Sequence, residues 1–260
     1  MLFDLTSGKR RRVVQVVFGG LALLFAVGFV GFNIGGEGGG GGIFDALGIG
    51  GGDSGSGSPQ YEEQIADNEE KLEANPNDRA ALLALVNDHF LSATSTGVTQ
   101  DPQTGQISIS GDAHSELEES ADAWERYLET KPDRVNTGAA STATQVFQLL
   151  NDASGAAEAQ RIVAEAQKSS TAYAQLAFYR YADLEFDTAD AAAKKAVALA
   201  DPSDRKAIER NLAFYSEQAQ KQQKLIEQQQ QQEGDEEAAQ QQLENPFGAL
   251  GGASSTAPAP

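Results

Sequence analysis

Cysteine is missing from all 260 residues. That excludes disulfides, thiolate metal sites, cysteine nucleophiles and cysteine-linked lipid anchors. Positive charge is scarce, with 19 Lys and Arg against 38 Asp and Glu and a net charge of −19. It is also unevenly placed. Residues 1–34 hold four bases and one acid, a net of +3, which leaves −22 on the remainder. So acidic a remainder excludes a nucleic-acid backbone as partner, because that requires clustered Lys and Arg. It suits a solvated, self-repelling surface. Histidine occurs only as His89 and His114, with no i,i+4 pair that would start a zinc site. The many carboxylates are scattered over helical patterns, and no G-x-S-x-G elbow is present. No catalytic residue, cofactor or metal ligand is therefore expected, and the chain reads as a non-enzyme.

What the sequence does contain begins with a long apolar run. Val13 to Ile34, VVQVVFGGLALLFAVGFVGFNI, spans 22 residues without a charge. As a helix it is about 33 Å long, enough to cross a hydrocarbon core of about 30 Å. The run exceeds the core of a cleaved signal peptide and no A-x-A-like site follows, so an uncleaved anchor is expected. The preceding Lys9-Arg10-Arg11-Arg12 cluster predicts that residues 1–12 stay cytoplasmic. The acidic remainder is then extracytoplasmic, and the localisation is a single-pass protein of the cell membrane.

Residues 35–59 follow, with 13 glycines in 25 positions. A segment of this composition cannot bury enough surface to offset its backbone entropy and reads as a flexible linker. Its GGEGGGGG run lacks the preceding strand and the Gly-Lys-Ser/Thr ending of a phosphate-binding loop.

From residue 60 to about 232 the pattern is helical. Tyr61 to Ala74 places Ile65 and Leu72 inward and stops at Asn75-Pro76-Asn77-Asp78, where Asp78 can cap the next helix. Arg79 to Ala93 carries Leu82, Leu85, Val86 and His89 on one stripe. A turn-rich insertion at about 94–111 contains DPQTGQ between Val98-Thr99 and Ile107-Ser108-Ile109, which predicts a β-hairpin. Asp112 is expected to cap a helix to Thr130 bearing Leu117, Trp124 and Tyr127. Arg134 to Leu150 and Ser154 to Lys168 form a further pair, and Thr171 to Asp201 another, with Ala189, Ala193 and Ala196 at helical spacing. Small residues so spaced let helices approach closely while large ones fill the gap. Trp124 and the Phe178, Tyr179 and Tyr181 group are read as core aromatics. A polar helix from 203 to about 232 is expected to cap the array, and residues 233–260, rich in Gln and then in Gly, Ala and Pro, to form a disordered tail.

Breaks at Pro132, Lys168 and Pro202 lie 36 and 34 residues apart, whereas Pro76 and Pro132 lie 56 apart, one unit plus the insertion. This spacing, the ANPND connector and the alanine-lined pair Thr171 to Asp204 resemble the tetratricopeptide repeat (TPR) superfamily. In the resemblance, Tyr173, Leu82 and Ala139 stand at the usual first-helix aromatic position and Ala177 at the close-contact glycine. The order of anchor, linker and repeats is similar to single-pass TPR proteins of bacterial envelopes. The expected fold class is all-α, a TPR-like α-solenoid of antiparallel helix pairs behind one N-terminal transmembrane helix.

The resemblance implies peptide or protein partners held in a groove lined by the first helices, and hence a non-catalytic scaffold or adaptor, chaperone-like at the envelope. The first-helix register puts Asn87, Phe90, Gln148, Phe178 and Tyr181 near that groove. The net acidity suggests basic or amphipathic partner segments. The alternative is a structural protein that self-associates through its membrane and C-terminal helices. The predicted orientation has a direct check: protease added to intact cells should digest the acidic part. Digestion only after the cells are broken open would reverse the orientation.

Overall fold

The computed structural model describes residues 58–101 and 107–244. The basic tip 1–12, the membrane span 13–34, nearly all of the linker 35–59 and the end of the tail lie outside the described residues. Among the described residues, no helix is long and apolar enough to cross a membrane.

The elements run α1 (Ser58–Ala74), α2 (Arg79–Thr96), β1 (Val98–Gln100), β2 (Ile107–Ile109), α3 (Gly111–Glu129), α4 (Thr137–Leu149), α5 (Ala153–Gln167), α6 (Ser170–Ala182), α7 (Phe186–Leu199) and α8 (Arg205–Glu244). The described chain is thus all-α apart from one hairpin. Two compact units divide it, one reaching Ala219 and the other starting at Gln220.

Short polar side chains start the helices. Asp78 accepts from the Ala80 and Ala81 amides, Asn136 from Ala139, Asp152 from Gly155 and Ser169 from Ala172, each bond 2.9–3.1 Å long. Each satisfies first-turn N–H groups that have no partner within the helix. The cap of α3 is Ser110, which accepts from Ala113, rather than the expected Asp112. Asp112 instead sits in the first helical turn, where its negative charge is stabilised by the positive end of the helix dipole.

Left-handed residues end four helices: Lys131, Asn151, Lys168 and Leu184. After α4, the Asp152 amide donates to the Phe147 carbonyl at 2.8 Å and Asn151 to Gln148 at 3.1 Å. After α6 the same pair of bonds recurs, Glu185 to Arg180 at 2.9 Å and Leu184 to Tyr181 at 3.1 Å. Both are Schellman closures, which satisfy the last carbonyls and turn the chain back on itself. The caps Asn136 and Ser169 that precede these two helices lie 33 residues apart. Counted from the caps, Leu82 and Tyr173 each stand fourth, the place Ala140 rather than Ala139 takes in α4.

Each helix from α1 to α6 packs on its successor, and α2 also packs on α4. Leu82, Val86, Leu117, Ala140, Ala143, Ala156, Ala157 and Ala159 are fully buried along these contacts. Trp124, at 2 % exposure, is the largest of the buried side chains. Polar links fasten the joints. Ser120 Oγ donates to the Val86 carbonyl at 2.7 Å, fixing α3 on α2. Arg79 reaches from α2 to Thr130, bonding its hydroxyl at 2.9 Å and its carbonyl at 2.6 Å. Tyr127 OH accepts from the Asn136 amide at 3.0 Å and so joins the end of α3 to the cap of α4.

The strands pair antiparallel with Val98 opposite Ile109 and Gln100 opposite Ile107. Gly97 closes their base: its carbonyl accepts from the Ser110 amide at 2.9 Å, and a Cβ there would lie 2.0 Å from Ser110 Oγ. One expectation changes at the C-terminus. The helix foreseen to stop near 232 continues to Glu244 through a stretch rich in Gln, Glu and Ala that also holds Gly234, Asp235 and Leu243. All three residue types are good helix formers, and that propensity outweighs the low-complexity pattern that read as tail from 233 onward.

Gly155 gives the packing a test. A Cβ at this position would meet the Phe147 ring at 2.5 Å. Gly155→Ala should therefore destabilise the protein by about 1–3 kcal/mol, although alanine is the better helix former. Chemical denaturation reads the change, and a stabilised variant would show that α4 and α5 are not in close contact.

Candidate functional site

Measured from the caps Asp78, Asn136 and Ser169, the ninth residue of each first helix is Asn87, Gln145 and Phe178, and the twelfth is Phe90, Gln148 and Tyr181. These positions lie three residues apart, on one stripe of each helix. The five side chains expected to line a groove all belong to it, but the structure treats them differently. Asn87 is exposed and Gln148 half-buried. Phe90, Phe178 and Tyr181 are core residues, 7 %, 5 % and 3 % exposed.

The cause lies in neighbouring helices. Phe178 meets Tyr215 of α8 edge-on at 5.0 Å between ring centres, so the start of α8 covers that part of α6. Tyr181 OH donates to Asp190 of α7 at 2.6 Å. Burial and the adjacent Asp190 carboxylate both push the Tyr181 phenol above its ordinary pKa, so it stays a neutral donor. Of the five, only Asn87 on α2 and Gln148 on α4 are therefore accessible.

Two hydrogen bonds join the first helices laterally. Thr142 Oγ1 on α4 donates to Asn87 Oδ1 on α2 at 3.0 Å. Tyr179 OH on α6 donates to Gln148 Oε1 on α4 at 2.8 Å. Between them lies Gln145, half-buried, whose Oε1 is buried without a hydrogen-bond partner. Thr142, Gln145 and Tyr179 were not among the expected residues. The cap frame singles out Gln145 directly; Thr142 and Tyr179 fall between stripes, and their pairing depends on helices that meet only in three dimensions.

Charge is segregated by helix. The α4 sequence, TGAASTATQVFQL, has none, and α6 has only Arg180. On α2, Asp88 and His89 are buried and Arg79 is engaged at the end of α3. The acids concentrate elsewhere: α3 holds seven with one arginine, and α1 six with one lysine. An acidic first-helix face, expected from net charge, is therefore not what the fold makes. That expectation averaged over helices which present different faces.

The buried polar groups lie off this face. Asn68 Nδ2 on α1 donates to Asp88 Oδ2 on α2 at 3.1 Å, and Lys71 Nζ donates to Asn68 Oδ1 at 2.9 Å. Beside them, His89 Nδ1 lies 2.7 Å from Glu116 Oε2 on α3. A second cluster surrounds Arg180, whose guanidinium bonds Glu158 on α5 and Glu185 beyond α6, the latter at 2.6 Å. His114 sits apart and exposed, 3.6 Å from Glu118. Among the described residues, no group of three His, Asp or Glu side chains is arranged to hold a metal ion.

No family model, curated protein or solved structure matches this chain.

The two clusters respond to pH in opposite senses. Burial pushes the Asp88 carboxyl above its ordinary range, against the hydrogen bond from Asn68 and the charges of His89 and Lys71. The folded state thus holds this proton more readily than the unfolded chain. Asp88 then costs stability above its folded pKa, and the cost fades as pH falls through that value. Glu158 is also pushed up by burial, but the bonds and charges of Arg180 and Arg161 outweigh this and hold it low. Its contribution is present at neutral pH and lost as pH falls through its folded pKa. Asp88→Asn keeps an acceptor for Asn68 and removes only the titration. Denaturant melts should show the native chain gaining stability relative to this variant as pH falls toward the carboxylate range. A constant difference would mean that Asp88 is not desolvated.

Proposed function

We propose that this chain is a single-pass envelope protein whose helical domain is a TPR-like solenoid that docks other proteins or peptides without catalysis. The residue 13–34 run supplies the anchor, and the residue 35–59 linker gives the domain reach beyond the membrane. The repeat reading is supported by the two Schellman closures at equivalent places after α4 and α6 and by the 33-residue separation of the caps before those helices. The observation that carries the docking role is the lateral joining of the first helices. Thr142 with Asn87, and Tyr179 with Gln148, hold neighbouring helices side by side through polar side chains, with Asn87 left exposed. An adaptor needs such a face, rigidly held and polar enough to stay soluble when empty.

Crosslinking from intact membranes tests the role. The native chain and an Asn87→Ala, Gln145→Ala double variant should be compared at equal abundance. Partners recovered with the native chain and reduced several-fold with the variant are the expected outcome. Recovery of only further copies of the chain, equal in both, would favour self-assembly.

A further inference from the structure

We propose that α1 is held to α2 by a proton-sensitive latch, which tightens as pH falls because docking covers the Asp88 carboxyl. The latch is independent of the docking role proposed above, and it assigns the titration of Asp88 to one joint of the fold.

The geometry places Asp88 at that joint. Ala81, Leu85, Asp88 and Ser92 are buried on one stripe of α2, at steps of four, three and four residues. The bond from Asn68 Nδ2 to Asp88 Oδ2 sets this stripe against α1. His89, on the neighbouring stripe, turns instead to Glu116 of α3. Little else holds α1, since Asn68 and Leu72 are its only buried side chains among those described. One of the two is thus bonded to a group that titrates.

A buried carboxylate is tolerated where a cation or several N–H groups meet it. Asp88 has the side-chain amide of Asn68 and, among the described residues, no cation at ion-pair distance. Lys71 Nζ, from α1, stops at Asn68 Oδ1, and His89 Nδ1 is engaged by Glu116. The remaining neighbour of α2, α4, carries no charge. Burial therefore prevails over the Asn68 bond and the charges of His89 and Lys71, and the docked carboxyl holds its proton above the ordinary range. With α1 lifted, the carboxyl meets water and holds that proton only at ordinary strength. The docked state thus binds more protons than the open one, so opening becomes harder as pH falls through the docked pKa and levels off below the ordinary carboxylate range. A protonated Asp88 still accepts from Asn68 through its carbonyl oxygen, so the joint keeps its bond. Release would add the 17 residues of α1 to the segment that precedes α2. In this way pH sets how much chain separates residues 35–59 from α2.

Hydrogen exchange read by mass spectrometry on the full chain in detergent, corrected for the intrinsic pH dependence of exchange, tests the latch. Between neutral pH and the carboxylate range, protection of the α1 amides should rise about three- to tenfold relative to those of uncharged α4. Asp88→Asn keeps an acceptor for Asn68 and should abolish the rise. Leu72→Ala leaves the carboxyl in place and should lower α1 protection at every pH while preserving the rise. Protection of α1 that does not change with pH, or a rise that persists in Asp88→Asn, would overturn the latch. A rise of equal size in α1 and α4 would overturn it as well, because the proton would then stabilise the whole fold rather than this joint.

Discussion

The fold depends on how closely its helices can approach. Ala140, Ala143, Ala156, Ala157, Ala159, Ala177, Ala189 and Ala196 are fully buried, and Gly155 lies directly beneath the Phe147 ring. With so little side chain between them the backbones come together, and the large residues collect where the gaps are widest. Trp124 and Tyr127 pack against each other in α3, and Phe178 brings Tyr179 and Tyr215 together. Because van der Waals attraction falls steeply with separation, each small residue matters for the contacts it lets others make. The lateral rungs follow from the same constraint. A threonine hydroxyl reaches an asparagine on the neighbouring helix only when the axes are near, so the candidate face exists because the core beneath it is made of alanine.

Buried polar groups then fix how the helices register. Arg180 is 8 % exposed, yet it is bonded to Glu158 on α5 and to Glu185, the residue at which the α6 closure ends. It therefore ties a turn to the preceding helix pair. Gln160 acts similarly, donating to the Ala172 carbonyl at 3.1 Å and so pinning α6 to α5. Alanine surfaces slide easily because one methyl resembles the next. Directional bonds select one alignment among several of similar packing energy.

Much of this arrangement can be read in the sequence, and the misreadings have physical causes. Pro76 and Pro132 mark helix ends because a ring in place of N–H cannot continue a helix. The DPQTGQ turn foretells the hairpin because its residues favour tight reversals. Frame is harder: Ala139 and Ala140 are both buried, at 4 % and 0 % exposure, so only their count from the Asn136 cap tells them apart. Phe178 and Tyr181 fit the stripe equally well as groove or core. Phe178 packs on α8, and Tyr181 bonds Asp190 of α7 and Ser216 of α8, contacts no local pattern reveals. The neutrality of α4 was plainly legible but was obscured by summing charge over the whole chain.

The order of packing also shapes how the molecule comes apart. Nearly every helix has its sequence neighbour as principal partner, so contacts are local and assembly requires little closure of long loops. Such a chain opens in pieces from an end. At the N-terminal edge, α1 packs chiefly on α2, and among its described side chains only Asn68 and Leu72 are buried. A pull arriving through the preceding residues falls first on this thinly attached helix. With fewer buried side chains than any other described helix, it is the segment expected to open at the lowest free-energy cost.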